Sequence, residues 1–97
     1  MLMILWLYLG DPAVHSKNYI MSYEQAWRVC KEVCSVNGWE LVASNKETGT
    51  LEIKASERAL KVEVIQGSDF VTVTVTTERK DDRPLVNRFV FVFEELL

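Results

Sequence analysis

Hydrophobic residues recur with a helical period over residues 22–37 and then, between residues 39 and 76, with a period of two. Tyr23, Ala26, Trp27, Cys30, Val33 and Cys34 fall on one helical stripe, while Glu24, Arg28 and Glu32 stand four apart on a wet face. Ser22 sits where an N-cap belongs, and Gln25 follows at the capping-box spacing, in which each side chain satisfies an otherwise orphan backbone N–H. Asn37-Gly38 supplies a left-handed stop. The spacing predicts a helix over 22–37.

The strand pattern follows at once. Trp39, Leu41 and Ala43 share one face. Leu51, Ile53 and Ala55 alternate with Thr50, Glu52 and Lys54. Leu60, Val62 and Val64 then alternate with Lys61 and Glu63, and Val71, Val73 and Val75 with Thr72, Thr74 and Thr76. Polar turns at 45–49, 56–58 and 66–69 separate these segments, and connections this short make an antiparallel meander. One of its faces is apolar and needs a second layer.

Residues 84–97 admit two readings. Phe89-Val90-Phe91-Val92-Phe93 has the composition of a buried strand. Pro84 instead suits a first helical turn with Asp82 as a cap, and Leu85, Phe89, Val92, Phe93 and Leu96 share a helical stripe. Glu94 and Glu95 in the last turn would oppose the helix dipole, a modest penalty. The stripe and the proline favour a helix. The expected class is α+β: an antiparallel meander of four to five strands packed against an N-terminal helix (22–37) and a C-terminal helix (84–97). A chain of 97 residues makes one domain. Residues 22–97 form its α-ββββ-α core, and residues 1–21 form an apolar N-terminal strand and a polar connection.

Residues 1–9 are an unbroken apolar run, and Gly10-Asp11-Pro12 ends it as a turn sequence. A bilayer core needs about 20 residues to cross, and a secretory signal carries a basic n-region and a small-residue cleavage site. Neither is visible. A strand, a short buried helix and the stump of a removed anchor are the readings left, and a packed strand is favoured. As a strand it needs cover on both faces, so Leu2, Ile4, Trp6 and Tyr8 are the expected interface of a homodimer or of a complex with another protein.

Composition narrows the chemistry. The chain is 48% hydrophobic and 26% charged, as packed domains are. Eleven basic residues are interleaved with fourteen acidic ones for a net charge of −3, which disfavours nucleic acid as a partner. Cys30 and Cys34, one helical turn apart, read as reduced core thiols rather than a disulfide. That fits a cytoplasmic protein, with an exported or membrane-associated one as the alternative if residues 1–9 are an anchor remnant. His15 with Cys30 or Cys34 makes neither a convincing nucleophilic pair nor a metal site, for want of a fourth ligand. Asp81-Asp82 reads as a solvated acidic pair within the charged run 78–83, and the four glycines are isolated, so no phosphate loop exists. No catalytic residue and no cofactor are expected.

The order of helix, Gly-Trp, hairpin with a central glycine, two further strands and an amphipathic helix resembles the BamC-like domains of bacterial outer-membrane lipoproteins and related small α+β proteins. Tyr23-Glu24-Gln25-Ala26-Trp27, Gly38-Trp39-Glu40-Leu41-Val42 and the turn Ser44-Asn45-Lys46-Glu47-Thr48-Gly49-Thr50 carry the likeness, over residues 19–97. The resemblance implies a helix-grip architecture, a curved sheet wrapped against helices, and no catalytic residues. This chain has no lipobox cysteine. The expected function is a non-enzymatic module for protein binding or self-association. The alternative is a small apolar ligand held between helix and sheet by Trp27, Trp39, Phe89 and Phe93.

Overall fold

The computed structural model describes residues 13–97. The expected strand within residues 1–9, and with it the interface residues Leu2, Ile4, Trp6 and Tyr8, lies outside the described residues.

The element order is β1 (Val14–Tyr19), α1 (Tyr23–Asn37), β2 (Glu40–Asn45), β3 (Thr50–Ala55), β4 (Arg58–Gln66), β5 (Val71–Thr77), a short 3-10 turn (Lys80–Asp82) and α2 (Arg83–Glu95). All five strands join one antiparallel sheet in the order β1-β5-β4-β3-β2. The α+β class, the meander and both helices are as the periodicity predicts. Five strands fall within the four to five expected, but the first of them lies where no strand was expected. It forms from Val14-His15-Ser16-Lys17-Asn18-Tyr19, the stretch read as a polar connection, and pairs along β5 from Val14↔Thr76 to Tyr19↔Val71. An edge strand half out in water needs little apolar surface, so its sequence lacks the strand pattern.

Local chemistry sets the ends of α1. Ser22 Oγ accepts a 3.1 Å hydrogen bond from the Gln25 N–H. Gly38 closes the helix at φ 69°, its N–H reaching the Ser35 carbonyl at 3.2 Å while the Trp39 N–H reaches Cys34 at 2.9 Å. The β2–β3 turn is tied down twice: Asn45 Oδ1 accepts from the Glu47 and Thr48 N–H groups, and the Tyr23 hydroxyl donates to the Lys46 carbonyl at 2.6 Å. At its end Gly49 has φ 73°, and its carbonyl accepts from the Val64 N–H at 2.7 Å, an approach that leaves no room for a side chain.

Both helices cover the same sheet face. Ala26, Trp27, Val29, Cys30, Val33 and Cys34 of α1 and Val86, Phe89, Val92 and Phe93 of α2 are buried with Leu51, Ile53, Leu60, Val62, Val64, Val71, Val73 and Val75. Phe89 stacks on Phe93 at 6.3 Å between ring centroids, and Tyr19 of β1 tilts onto Phe93 at 5.0 Å.

Two expectations about side chains are corrected. Asp82 is not a solvated acid: it is buried and ion-paired with Arg58, and its side chain makes no capping bond to α2. The 3-10 turn swings it inward, where the Arg58 guanidinium awaits it. Ala43 does not share the face of Leu41, because a β-bulge intervenes: Leu41 pairs with Ile53 and Ala43 with Glu52, with Val42 left as the extra residue. Among the described residues no helix is long and apolar enough to cross a membrane.

Candidate binding cleft on the open sheet face

The alternation that points Leu51, Ile53, Val62 and Val75 at the helices points Glu52, Lys54, Lys61 and Thr76 the other way, onto a face that no described element covers. Much of it is polar and internally paired. Ser16 and Thr74 share a 2.9 Å hydrogen bond across β1 and β5, and Thr72 donates to Asn18 at 2.7 Å.

One end of this face departs from the pattern. The bulge in β2 leaves Val42 58% exposed beside β3. Ala59 occupies an outward position on β4 opposite Lys54, where a larger side chain would fill the space. The result is a hollow of about 510 Å³ lined by Val42, Ala59, Thr76 and the stems of Lys54 and Lys61, and bounded by the β3–β4 turn at Glu57. Its charges balance: Glu52, Glu57 and Glu78 against Lys54, Arg58 and Lys61. Arg58 is fixed at the margin by its ion pair with the buried carboxylate of Asp82, which ties the cleft to the start of α2.

The residues expected from sequence to line a pocket lie on the opposite face. Trp27, Phe89 and Phe93 are buried in the core and Trp39 packs partly against it. None of the four lines the cleft. The sequence carried no signal for the cleft itself, since a bulge leaves no trace in Glu-Leu-Val-Ala-Ser-Asn and an outward alanine looks like any other strand residue.

Reactive groups do not converge there. Burial pushes the Cys30 thiol up to about 12, with neighbouring Cys34 adding to the shift, and burial also raises Cys34. Both remain free thiols, and Cys34 Sγ lies 3.7 Å from the Cys30 carbonyl oxygen. His15 is on β1, partly buried on the helix side. At the far end of β1 the carboxylate of Glu94 accepts from Lys17 Nζ at 2.8 Å and from the Tyr19 hydroxyl at 2.7 Å. These two donors hold Glu94 below the ordinary carboxylate range, whereas burial, then the bond to Glu94, raises Tyr19. A raised phenol is a hydrogen-bond donor, not a base. Among the described residues no three His, Cys, Asp or Glu side chains cluster as metal ligands would.

No protein-family model matches the chain, and no curated protein matches it.

Proposed function

We propose that the domain is a non-catalytic binding module that takes an extended apolar segment of a protein across its open sheet face. The observation that carries this reading is the hollow of about 510 Å³, floored by Val42 and Ala59, on a face with no second layer among the described residues. Apolar floor inside a polar, charge-balanced rim is the anatomy of protein interfaces, where a buried side chain supplies affinity and the rim sets register. Equal numbers of rim acids and bases suit a peptide's own mixed charges and would repel a phosphate backbone as much as attract it. A second copy of this chain is one partner of this kind.

The cleft volume also favours a second reading, a small apolar ligand, since such pockets run from about 300 to 1,000 Å³. The two separate in one experiment. Random nonapeptides displayed against the intact chain should enrich sequences with an aliphatic or aromatic centre. Ala59→Glu, which puts a carboxylate into the cleft floor, should weaken the selected peptides at least about tenfold with an unchanged melting midpoint. Peptides that bind wild type and Ala59→Glu equally, or no enrichment at all, would remove the protein-binding reading.

A further inference from the structure

We infer that the open face packs against the same face of a second copy of this chain, an inference that rests on the face being a protein-binding surface and names its partner. The placement of charge across β3 and β4 carries it.

Glu52 on β3 stands directly opposite Lys61 on β4, and Lys54 directly opposite Ala59. All four side chains alternate with the buried residues of their strands and are exposed. Opposite charges at this spacing commonly join. Glu52 and Lys61 nevertheless form no ion pair with each other, and they, Lys54 and Glu63 form none with any described residue. The face thus presents ordered, unspent charges of both signs.

The register makes their pattern self-complementary. A two-fold axis lying in the face, between β3 and β4 and along them, sets β3 of each copy over β4 of the other. Glu52 then meets Lys61 of the second copy, and Lys61 meets its Glu52. The same axis lays Lys54 of each copy over the hollow at Ala59 of the other. There its stem covers the apolar floor, and its ammonium comes to the rim acids Glu57 and Glu78. Farther out β5 lies over β2, and Thr76 falls on the exposed bulge at Val42. One like-charged pair results, Glu78 over Glu40, at the margin where both stay in water. An axis along β4 itself would instead put Lys61 on Lys61 at the centre.

Area sets the strength. Four overlapping strands about 4.8 Å apart, each with about six residues of 3.3 Å, give a footprint of about 19 by 20 Å. Two copies then bury less than about 1,200 Å², the range of transient complexes. The dimer is therefore reversible and salt-sensitive, with a dissociation constant of about 1 μM or weaker.

Sedimentation of the full chain in low salt, from about 1 to about 500 μM, tests this. Wild type should dimerise reversibly. Glu52→Lys and Lys61→Glu each turn two attractive contacts across the axis into repulsive ones, and each should raise the dissociation constant at least about tenfold. An equimolar mixture of the two variants should form a heterodimer at about the wild-type constant. The chain carrying both substitutions should pair with itself again. The mixture decides, because a weakened fold in one variant would not be repaired by adding the other. A wild type that stays monomeric, single variants that dimerise as wild type does, or a mixture no tighter than its components overturns the inference. Nonapeptide selection keeps the two readings apart. A monomeric wild type that still enriches peptides overturns the dimer and leaves the binding module standing. A charge-swapped heterodimer from a chain that enriches no peptide upholds the dimer and removes the extended-segment reading.

Discussion

The two faces of this sheet share every backbone hydrogen bond and differ in everything else. The inner face offers Leu51, Ile53, Leu60, Val62, Val64, Val71, Val73 and Val75 to two helices, and all are buried. The outer face offers Glu52, Lys54, Lys61, Glu63 and three threonines, with a shallow apolar hollow at one end. β3 thus serves stability with its odd residues and leaves its even ones on the open face, and β4 does the same with the parity reversed. Folding free energy grows with apolar area removed from water, so nearly all of it comes from the inner face. The outer face can then be shaped for a partner at little expense to the fold.

The largest effects should separate the faces most clearly. Trp27→Ala and Phe93→Ala each leave a large cavity under the helices and should lower stability by about 3–5 kcal/mol. Thr74→Ala on the outer face should stay within about 0.5 kcal/mol. Urea unfolding of the three variants decides the matter. Comparable losses for Thr74→Ala and Phe93→Ala would mean that the outer face is part of the core.

How much of this was legible depends on how much each element relies on its own periodicity. α1 could be read because Ser22, Gly38 and a stripe centred on Ala26, Cys30 and Val33 agree with one another. α2 was harder, since Phe89-Val90-Phe91-Val92-Phe93 has strand composition. Burial follows the helical stripe, with Val86, Phe89, Val92 and Phe93 inside and Phe91 58% exposed. β1 was missed because its inward residues, His15, Lys17 and Tyr19, are only partly covered and mostly polar, so the pairing energy comes from β5 rather than from a pattern in β1. Arg58 and Asp82 were missed as a pair because they are 24 residues apart and each sits in an ordinary-looking charged run. The cleft could not be read at all: it depends on the β2 bulge, a tertiary event.

The next effect contrasts two glycines with nearly equal backbone angles. Gly38 at φ 69° has nothing within 4 Å of where a Cβ would stand, so Gly38→Ala should lose only the left-handed penalty, about 1–2 kcal/mol. Gly49 at φ 73° faces the Val64 carbonyl oxygen and the Tyr23 hydroxyl. Gly49→Ala adds overlap with backbone to the same penalty and should lower stability by about 3 kcal/mol. Equal losses, read from thermal melts, would show that β3 and β4 separate freely at that turn. A smaller step concerns the pair that links the faces. Asp82→Asn removes the charge that holds Arg58 at the cleft margin, and because Arg58 remains about half in water, the loss should be about 1 kcal/mol. Peptide binding to the cleft should weaken more than the melt does if Arg58 has to be held in place to serve the rim.

The smallest expected effect lies where the helix cover runs out, at β1 against the end of α2. Glu94 accepts from Lys17 and Tyr19, and those hydrogen bonds depress its pKa; the nearby positive charge of Lys17 and the proximity of His15 act the same way. A depressed folded-state pKa means that the unfolded chain takes up the proton first as pH falls. The contribution is complete above the unfolded value of about 4.3 and disappears as pH drops through the lower folded value. Tyr19, raised by burial and by Glu94, keeps its proton across that whole window and continues to donate. The side chains of Lys17 and Glu94 are 51% and 39% exposed, so solvent screening should leave only a few tenths of a kcal/mol. Wild type should therefore exceed Glu94→Gln slightly in urea stability at pH 7, see that margin shrink as the pH is lowered from 7 to 3, and lose most of it in 1 M salt, where the screening length falls to about 3 Å. A margin that is the same at pH 7 and pH 3 would mean that Glu94 holds β1 to α2 by shape and neutral hydrogen bonding alone, with its charge contributing nothing to the edge of the covered face.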